Sequence, residues 1–220
     1  IFKIPSGEIN NIPYLKYIGS LKKKLILSTG MSDLKEVQKA ISILTKSGTK
    51  KKNISLLHCN TEYPANLEKL NLMSVKYLKD KTKLNVGYSD HSIGYEASLM
   101  ALAFGAKIFE KHFTLNKFAK GPDHKASLSP EELENYVKKL NKFKTSIGKY
   151  QKKPYKEELK ISLIARKQIV ALSKIKPGDK FSSKNIIKKR AKKGISASKW
   201  NKIIGKKSKF YFNEDQNIKI

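Results

Sequence analysis

Cysteine, arginine and acidic side chains are scarce in this chain. Cys59 is the single cysteine in 220 residues, so no intrachain disulfide can form and a reducing, cytoplasmic compartment is expected. Only Arg166 and Arg190 are arginines among 47 basic residues, against 18 acidic ones, and the formal net charge is +29. Sequence-specific recognition of nucleic-acid bases favours arginine, which is rare here, and the lysines are spread over every segment rather than clustered. We therefore expect a solvated lysine surface and no nucleic-acid partner, with attraction of anionic substrates as the alternative.

Long apolar runs and glycine-rich phosphate motifs are also absent. No run approaches the roughly 18 residues of a membrane span, and no signal-peptide pattern is present, so no membrane partner is expected. Without a G-x-x-x-x-G-K-[ST] or G-x-G-x-x-G run, a nucleoside triphosphate or dinucleotide is disfavoured. The chain opens directly on a strand pattern without an initiator methionine, and we expect further chain upstream.

Short apolar strands alternate with helical patterns over residues 1–148, which predicts a parallel sheet with helices outside it. The predicted strands are 2–4, 25–27, 54–57, 85–88 and 107–110, and the helices are 12–19, 32–46 (capped by Ser32), 72–78, 97–104 and one beginning at Ser129-Pro130. Every strand ends in polar or small residues. This favours a (β/α)8 TIM barrel over a doubly wound sheet, which has one switch point only. Five units cannot close such a barrel, so they would be its last five.

The composition changes after residue 148. Residues 149–159 are predicted to be a polar linker, and residues 160–220 a small β-rich domain with β-like runs at 168–172, 186–187 and 209–212. A core built around Trp200 would be marginal alone. We expect this domain to gain stability from another subunit.

Two histidines carry the main functional hypothesis. His91 and His112 each follow a predicted strand and are 112 − 91 = 21 residues apart, about one βα repeat. Because neighbouring strands lie about 4.8 Å apart, both imidazoles can reach one divalent cation such as Mn²⁺, Zn²⁺ or Co²⁺, which would act as a Lewis acid. Asp90 and Glu110 would orient the rings or form salt bridges. The alternative is two structural histidines.

Other polar residues are expected at the same strand ends. A ring of hydroxyls and one ammonium suits phosphate, and it comprises Lys3, Ser6, Ser28, Thr29 and Ser89. Glu8 is either an acid/base and hydroxyl anchor or an ion-pair partner. Asp123 either holds a substrate hydroxyl or belongs to a simple turn. His58 is interpreted as structural.

Several motifs together resemble bacterial sialic acid synthases. They are Lys3-Ile4-Pro5-Ser6-Gly7-Glu8, Leu27-Ser28-Thr29-Gly30-Met31, Leu57-His58-Cys59, Glu62-Tyr63-Pro64, Gly87-Tyr88-Ser89-Asp90-His91, Glu110-Lys111-His112-Phe113-Thr114 and Gly121-Pro122-Asp123-His124-Lys125-Ala126-Ser127. Residues 160–220 resemble the C-terminal antifreeze-like (SAF) domain of that family. The family often reads K-R-P-G where this chain has Ala191-Lys192-Lys193-Gly194.

The resemblance implies condensation of phosphoenolpyruvate with an N-acetylmannosamine-type sugar, giving a nine-carbon 2-keto acid and phosphate. His91 and His112 would hold the metal, Mn²⁺ in the family, with Mg²⁺ or Co²⁺ as alternatives, and Glu8 would join them in the catalytic set. The resemblance assigns phosphate or carboxylate contacts to Lys3, Ser6, Ser28 and Ser89, and sugar contacts to Glu8, Tyr63 and Asp123. Arg190 would enter the partner subunit's site in a domain-swapped homodimer.

Three alternatives are compatible with the sequence. The same motifs serve a legionaminic acid synthase, which uses a 2,4-diacetamido-6-deoxymannose. A lysine-rich, non-catalytic binding protein would not depend on His91 or His112. An inactive fragment is the third alternative.

Overall fold

A five-stranded parallel sheet forms the first part of the computed structural model, which describes all residues 1–220. The chain divides into two units, Ile1–Lys149 and Tyr150–Ile220. In the first, the sheet order β1-β2-β3-β4-β5 follows the chain. Its strands are β1 (Phe2–Ile4), β2 (Leu25–Ser28), β3 (Ile54–Cys59), β4 (Asn85–Asp90) and β5 (Phe109–Lys111). This confirms the predicted βα alternation.

One helix follows each strand: α1 (Ile12–Ser20), α2 (Leu34–Lys46), α3 (Met73–Thr82), α4 (Glu96–Ala103) and α5 (Pro130–Lys144). Ser129 caps α5 as predicted, in a capping box with Glu132. The prediction that Ser32 caps α2 was wrong. Asp33 is the cap, since its carboxylate accepts from the Glu36 N–H at 2.8 Å, whereas Ser32 donates to the Gly30 carbonyl.

The core of the first unit lies between the sheet and helices α1–α4. Alternate strand residues such as Ile4, Leu27, Leu56 and Val86 are buried against the helical layer. Ile26 and Leu57 point to the opposite side of the sheet, where they line a cavity of about 820 Å³ together with residues of α5. A parallel sheet with α1–α4 packed on one side and curved around an interior is the arrangement of a TIM-barrel segment.

The sheet is curled rather than flat. Five strands about 4.8 Å apart would separate the edge strands by roughly 19 Å. Yet Lys3 Nζ on β1 lies 3.1 Å from Glu110 Oε2 on β5. A lysine and a glutamate side chain cannot bridge a flat sheet of that width, so the strands must curve toward one another as a half-barrel.

The second unit has a different architecture. It contains α6 (Lys156–Ala165), an antiparallel sheet of order β7-β6-β8, and α7 (Trp200–Ile203). Its strands are β6 (Lys167–Ala171), β7 (Ile186–Arg190) and β8 (Ile195–Ser196). The β-like pattern at 209–212 gives only a single bridge, between Ile175 and Phe212, because Ser208 hydrogen-bonds Phe210 locally. Helix α6 begins four residues before the domain start expected at 160.

None of the helices combines the length and the apolar character that a membrane crossing requires.

Candidate active site at the carboxyl ends of the strands

The two histidines singled out from the sequence lie side by side. His91 follows β4 and His112 follows β5, and their ring centroids are 5.3 Å apart with the planes nearly perpendicular at 87°. Tyr63, from the loop after β3, packs on both rings at 4.1 Å and 5.1 Å between centroids. Parallel pairing of β4 and β5 brings the two imidazoles to one place at the mouth of the half-barrel.

The His91 ring is held in a state suited to metal binding. Its Nδ1 donates to the backbone carbonyl of Asn60, which leaves Nε2 as the ligating nitrogen. Burial lowers the pKa of the His91 imidazole, although this hydrogen bond acts in the opposite direction. At neutral pH the ring is therefore uncharged, as a metal ligand must be.

His112 faces a carboxylate. Its Nδ1 lies 3.9 Å from Asp123 Oδ2 in the loop after β5. No cluster of three or more His, Cys, Asp or Glu side chains in the chain is arranged as a metal site. The two imidazole nitrogens are ligands of the kind that a borderline divalent cation accepts.

Ser89, Glu110 and Lys3 form a chain of contacts beside the histidines. Ser89 Oγ donates to Glu110 Oε1 at 2.7 Å and lies 3.2 Å from His91 Nε2. Glu110 also pairs with Lys3. Ser89, Glu110 and Lys3, all expected at the strand ends, are thus brought together. The Glu110 carboxylate accepts from a hydroxyl and pairs with an ammonium, and it does not orient an imidazole.

Asp90 is buried and likewise touches neither imidazole. Lys111 Nζ lies 3.2 Å from Asp90 Oδ2, and Ser92 and Ser98 donate to the carboxylate at 2.7 Å and 2.6 Å. Ser98 also contacts the Tyr136 hydroxyl at 2.7 Å. Of the two alternatives stated for Asp90 and Glu110, the structure shows salt bridges. The sequence reasoning missed Lys111, although it stands directly before His112.

The carboxyl end of β2 presents a hydroxyl without a partner. Ser28 is 3% exposed, and its Oγ has no hydrogen-bond partner of ordinary geometry, although it lies close enough to the Cys59 thiol to act on the pKa of that group. Thr29, expected in the same ring, instead donates its hydroxyl to the Leu57 carbonyl at 3.0 Å. A Cβ on Gly30 would lie 3.0 Å from Cys59 Sγ and 3.2 Å from Ser6 Oγ, so glycine lets these side chains approach. Burial raises the pKa of the Cys59 thiol, which argues against a thiolate nucleophile.

The remaining expected residues are Glu8, His58 and Arg190. The Glu8 carboxylate accepts from Asn11 at 2.6 Å, in a short helical turn after β1. His58 donates to the Leu70 carbonyl at 2.7 Å, as a structural histidine would. Arg190 is exposed at the end of β7, opposite Lys167.

A match to the NeuB family covers residues 1–152, and thus the whole of the parallel sheet. The chain belongs to the NeuB family. Among NeuB-related proteins, it is 49% identical over 219 residues to the N,N'-diacetyllegionaminic acid synthase of Campylobacter jejuni, covering 100% of this chain and 66% of that protein. It is 40% identical to the Legionella pneumophila protein of the same name, covering 92% of this chain and 58% of that one.

A solved structure supports the same assignment. The crystal structure of an N-acetylneuraminic acid (sialic acid) synthetase from Leptospira borgpetersenii in complex with citrate is 35% identical and superposes with a TM-score of 0.67. The match covers 73% of this chain and 56% of that one. The chain spans about two thirds or less of the length of these NeuB relatives.

Proposed function

We propose that this chain carries the metal-binding part of the active site of a synthase that condenses phosphoenolpyruvate with an acetamido-mannose sugar. The observation that carries the proposal is the pair of imidazoles, 5.3 Å apart at the ends of β4 and β5. Membership of the NeuB family supports the reaction class. The product would be a nine-carbon 2-keto sugar acid, released with phosphate.

The relatives favour one sugar over the one first expected. Two of them, at 49% and 40% identity, are named N,N'-diacetyllegionaminic acid synthases. We therefore put the 2,4-diacetamido-6-deoxymannose first. N-Acetylmannosamine, the substrate implied for sialic acid synthases, is the second candidate, and the likeness to the Leptospira synthetase supports it.

The imidazoles of His91 and His112 would hold Mn²⁺, with Mg²⁺ or Co²⁺ as alternatives. When bound, such a cation supplies Lewis acidity toward the carbonyl oxygen of the open-chain sugar. The Asn60 carbonyl fixes the His91 tautomer, and Tyr63 packs on both rings and restricts their rotation.

The remaining side chains would bind the anionic substrate. Phosphoenolpyruvate carries a phosphate and a carboxylate, which need donors and positive charge. Ser28 supplies a buried hydroxyl, Ser6 lies close to Gly30, and Lys3 supplies an ammonium. Lys3 is paired with Glu110, so we expect the substrate to compete with that carboxylate for it. Ser89, which now donates to Glu110, would reorient toward the substrate.

The sugar would contact Tyr63 and Asp123, both beside the histidines, with Glu8 as hydroxyl anchor or acid/base. For the second unit we propose the antifreeze-like domain of a domain-swapped homodimer, which brings Arg190 to the partner subunit's site.

Phosphate release measured with both sugars, with and without chelator, tests the proposal in the full-length protein. We expect release only when phosphoenolpyruvate, a sugar and a divalent cation are all present, and faster turnover of the diacetamido sugar. Faster turnover of N-acetylmannosamine would reverse the order of the two candidates. Release that persists in chelator, or none with either sugar, would contradict the synthase assignment.

A further inference from the structure

The residues directly before the two histidines face each other across the β4–β5 ladder. Asp90 pairs in register with Lys111, and each is followed at once by one of the imidazole-bearing residues, His91 or His112. The ladder between β4 and β5 contains three residue pairs, whereas that between β3 and β4 contains five. Asp90 and Lys111 form its last pair, so backbone pairing ends where the site begins.

Side chains hold the two strands together at this point. The Lys111 and Asp90 side chains are 3% and 0% exposed, and the ammonium lies 3.2 Å from the carboxylate. Lys111 also donates to the Ser92 carbonyl, just beyond His91. Both carboxylate oxygens of Asp90 are occupied, Oδ1 by Ser92 and Oδ2 by Ser98 and Lys111. A fully occupied buried network of this kind permits one arrangement of the strand ends.

The backbone carbonyl of each histidine is held by a separate hydrogen bond. The His91 carbonyl accepts from Ala65 N–H, and the His112 carbonyl accepts from Leu128 N–H, both at 2.9 Å. These bonds anchor each histidine to its own neighbour in the fold. Two side-chain contacts join one strand end to the other, Ser89 with Glu110 and Lys111 with Asp90. The second involves the residues directly before the histidines, and it is the buried one of the two.

We propose that Asp90 and Lys111 are positioning residues that hold His91 and His112 at the separation needed to share one divalent cation. The proposal rests on the proposed function, since it takes the two imidazoles as ligands of one cation. Stability alone does not account for the pair, because desolvation offsets much of the attraction in a buried ion pair and apolar replacements are often as stable. An apolar pair could be as stable, but it would not fix the position of the β4 end relative to the β5 end as the charged, hydrogen-bonded pair does.

Mn²⁺ titration of the full-length protein, followed by electron paramagnetic resonance of the free ion, provides the test. Lys111→Met removes the ammonium with little change in length, and we expect Mn²⁺ affinity to fall by about 10- to 100-fold, as for other residues that orient metal ligands. Lys111→Arg keeps the charge and is expected to retain most of the affinity. Leu44→Ala, a cavity in the outer layer at α2, is the matched control: it should lower Tm and leave Mn²⁺ affinity unchanged.

A double variant separates positioning from folding. Asp90→Asn with Lys111→Met leaves no unpaired buried charge, so its Tm should exceed that of Lys111→Met alone, while Mn²⁺ binding stays weak. Restoration of Mn²⁺ affinity together with Tm would overturn the positioning role. Where Lys111→Met does not fold, Asp90→Asn alone is expected to weaken Mn²⁺ binding about 10-fold, and an unchanged affinity there would equally overturn it.

The outcomes distinguish this proposal from the proposed function. Tight Mn²⁺ binding by the wild type that is insensitive to Lys111→Met would remove the positioning role and leave the synthase assignment intact. A wild type that neither binds Mn²⁺ nor releases phosphate from phosphoenolpyruvate would remove both.

Discussion

The carboxyl ends of β4 and β5 differ from that of β2 in how their polar groups are satisfied. At β4 and β5, Ser89 contacts Glu110 and Asp90 contacts Lys111, so side chains of one strand engage those of the next. At β2, the Ser28 hydroxyl is buried without a partner, and Thr29 turns to backbone. All three strands belong to one parallel sheet with the same local geometry, so the difference lies in the side chains.

Under the proposed function, the ends of β4 and β5 would serve the cation and the end of β2 would serve the anion. A cation site needs ligands held at fixed separation before the ion arrives, and the interlocked strand ends provide that. An anion site needs donors that are free to turn to the ligand, and an unpartnered buried hydroxyl is such a donor.

The largest effect is expected on the cation side. His91→Ala or His112→Ala should reduce metal-dependent phosphate release by at least about 1,000-fold, since several kcal/mol of Lewis-acid stabilisation would be lost. Isothermal titration with Mn²⁺ should show the matching loss of binding. His58→Gln, at a structural histidine on β3, is the control and should bind Mn²⁺ normally. Near-normal activity of either alanine variant would refute the metal assignment.

An intermediate effect is expected on the anion side. Ser28→Ala should raise the KM for phosphoenolpyruvate about 10-fold or more, because a hydrogen bond to a charged group contributes about 1.5–3 kcal/mol. Tm should hardly change, since the hydroxyl makes no hydrogen bond of ordinary geometry within the protein and only the weakly polar Cys59 thiol lies near it. Ser32→Ala, whose hydroxyl contacts only the Gly30 carbonyl, is the matched control. An unchanged KM for phosphoenolpyruvate in Ser28→Ala would contradict the assignment of β2 to the anion.

A sugar-specific effect is expected from the second unit. Arg190→Ala should raise the KM for the sugar more than that for phosphoenolpyruvate, if this guanidinium enters the partner subunit's site. The other arginine, Arg166, offers a matched control through Arg166→Ala. Steady-state kinetics with each substrate varied in turn decides the matter, and equal changes in both KM values would count against a sugar role.

The smallest effect concerns stability against pH. Burial lowers the pKa of His58 below its ordinary value of 6.5, so the unfolded chain takes up its proton first. The free energy of unfolding should therefore be insensitive to this group above pH 6.5 and should fall as the pH drops below it, by at most about 1.4 kcal/mol per unit. Urea denaturation at pH 7.5 and 5.5 should show a smaller pH effect in His58→Gln than in the wild type. An identical pH effect in both proteins would contradict a contribution of His58 to the pH dependence of stability.

The strands and one helix start of the first unit could be predicted from the spacing of apolar residues and from helix-capping residues. Apolar runs bounded by polar residues located all five strands, and Ser129-Pro130 located the start of α5. The cap of α2 was missed by one position because serine and aspartate are both good caps, and only the structure shows which side chain reaches the third amide.

The site was predictable in its members more than in its contacts. Their positions at strand ends, 21 residues apart, predicted that His91 and His112 lie close together. That Lys111 reaches back to Asp90, while Glu110 reaches across to Lys3, depends on the register of β4 with β5 and on the curl of the sheet. The pairing of Asp90 with Lys111 had a sequence signal, since opposite charges stand one residue before each histidine. Helix α6 was not predicted, and it has no buried apolar face in the structure: Leu159, Ile161, Leu163 and Ile164 are all exposed.

The central claim is that both imidazoles bind the same cation, and pulsed electron paramagnetic resonance of bound Mn²⁺ tests it most directly. In protein carrying ¹⁵N-labelled histidine, we predict couplings from two directly coordinated imidazole nitrogens, with one lost in His91→Ala and one lost in His112→Ala. A signal from a single histidine nitrogen, or none, would contradict the claim.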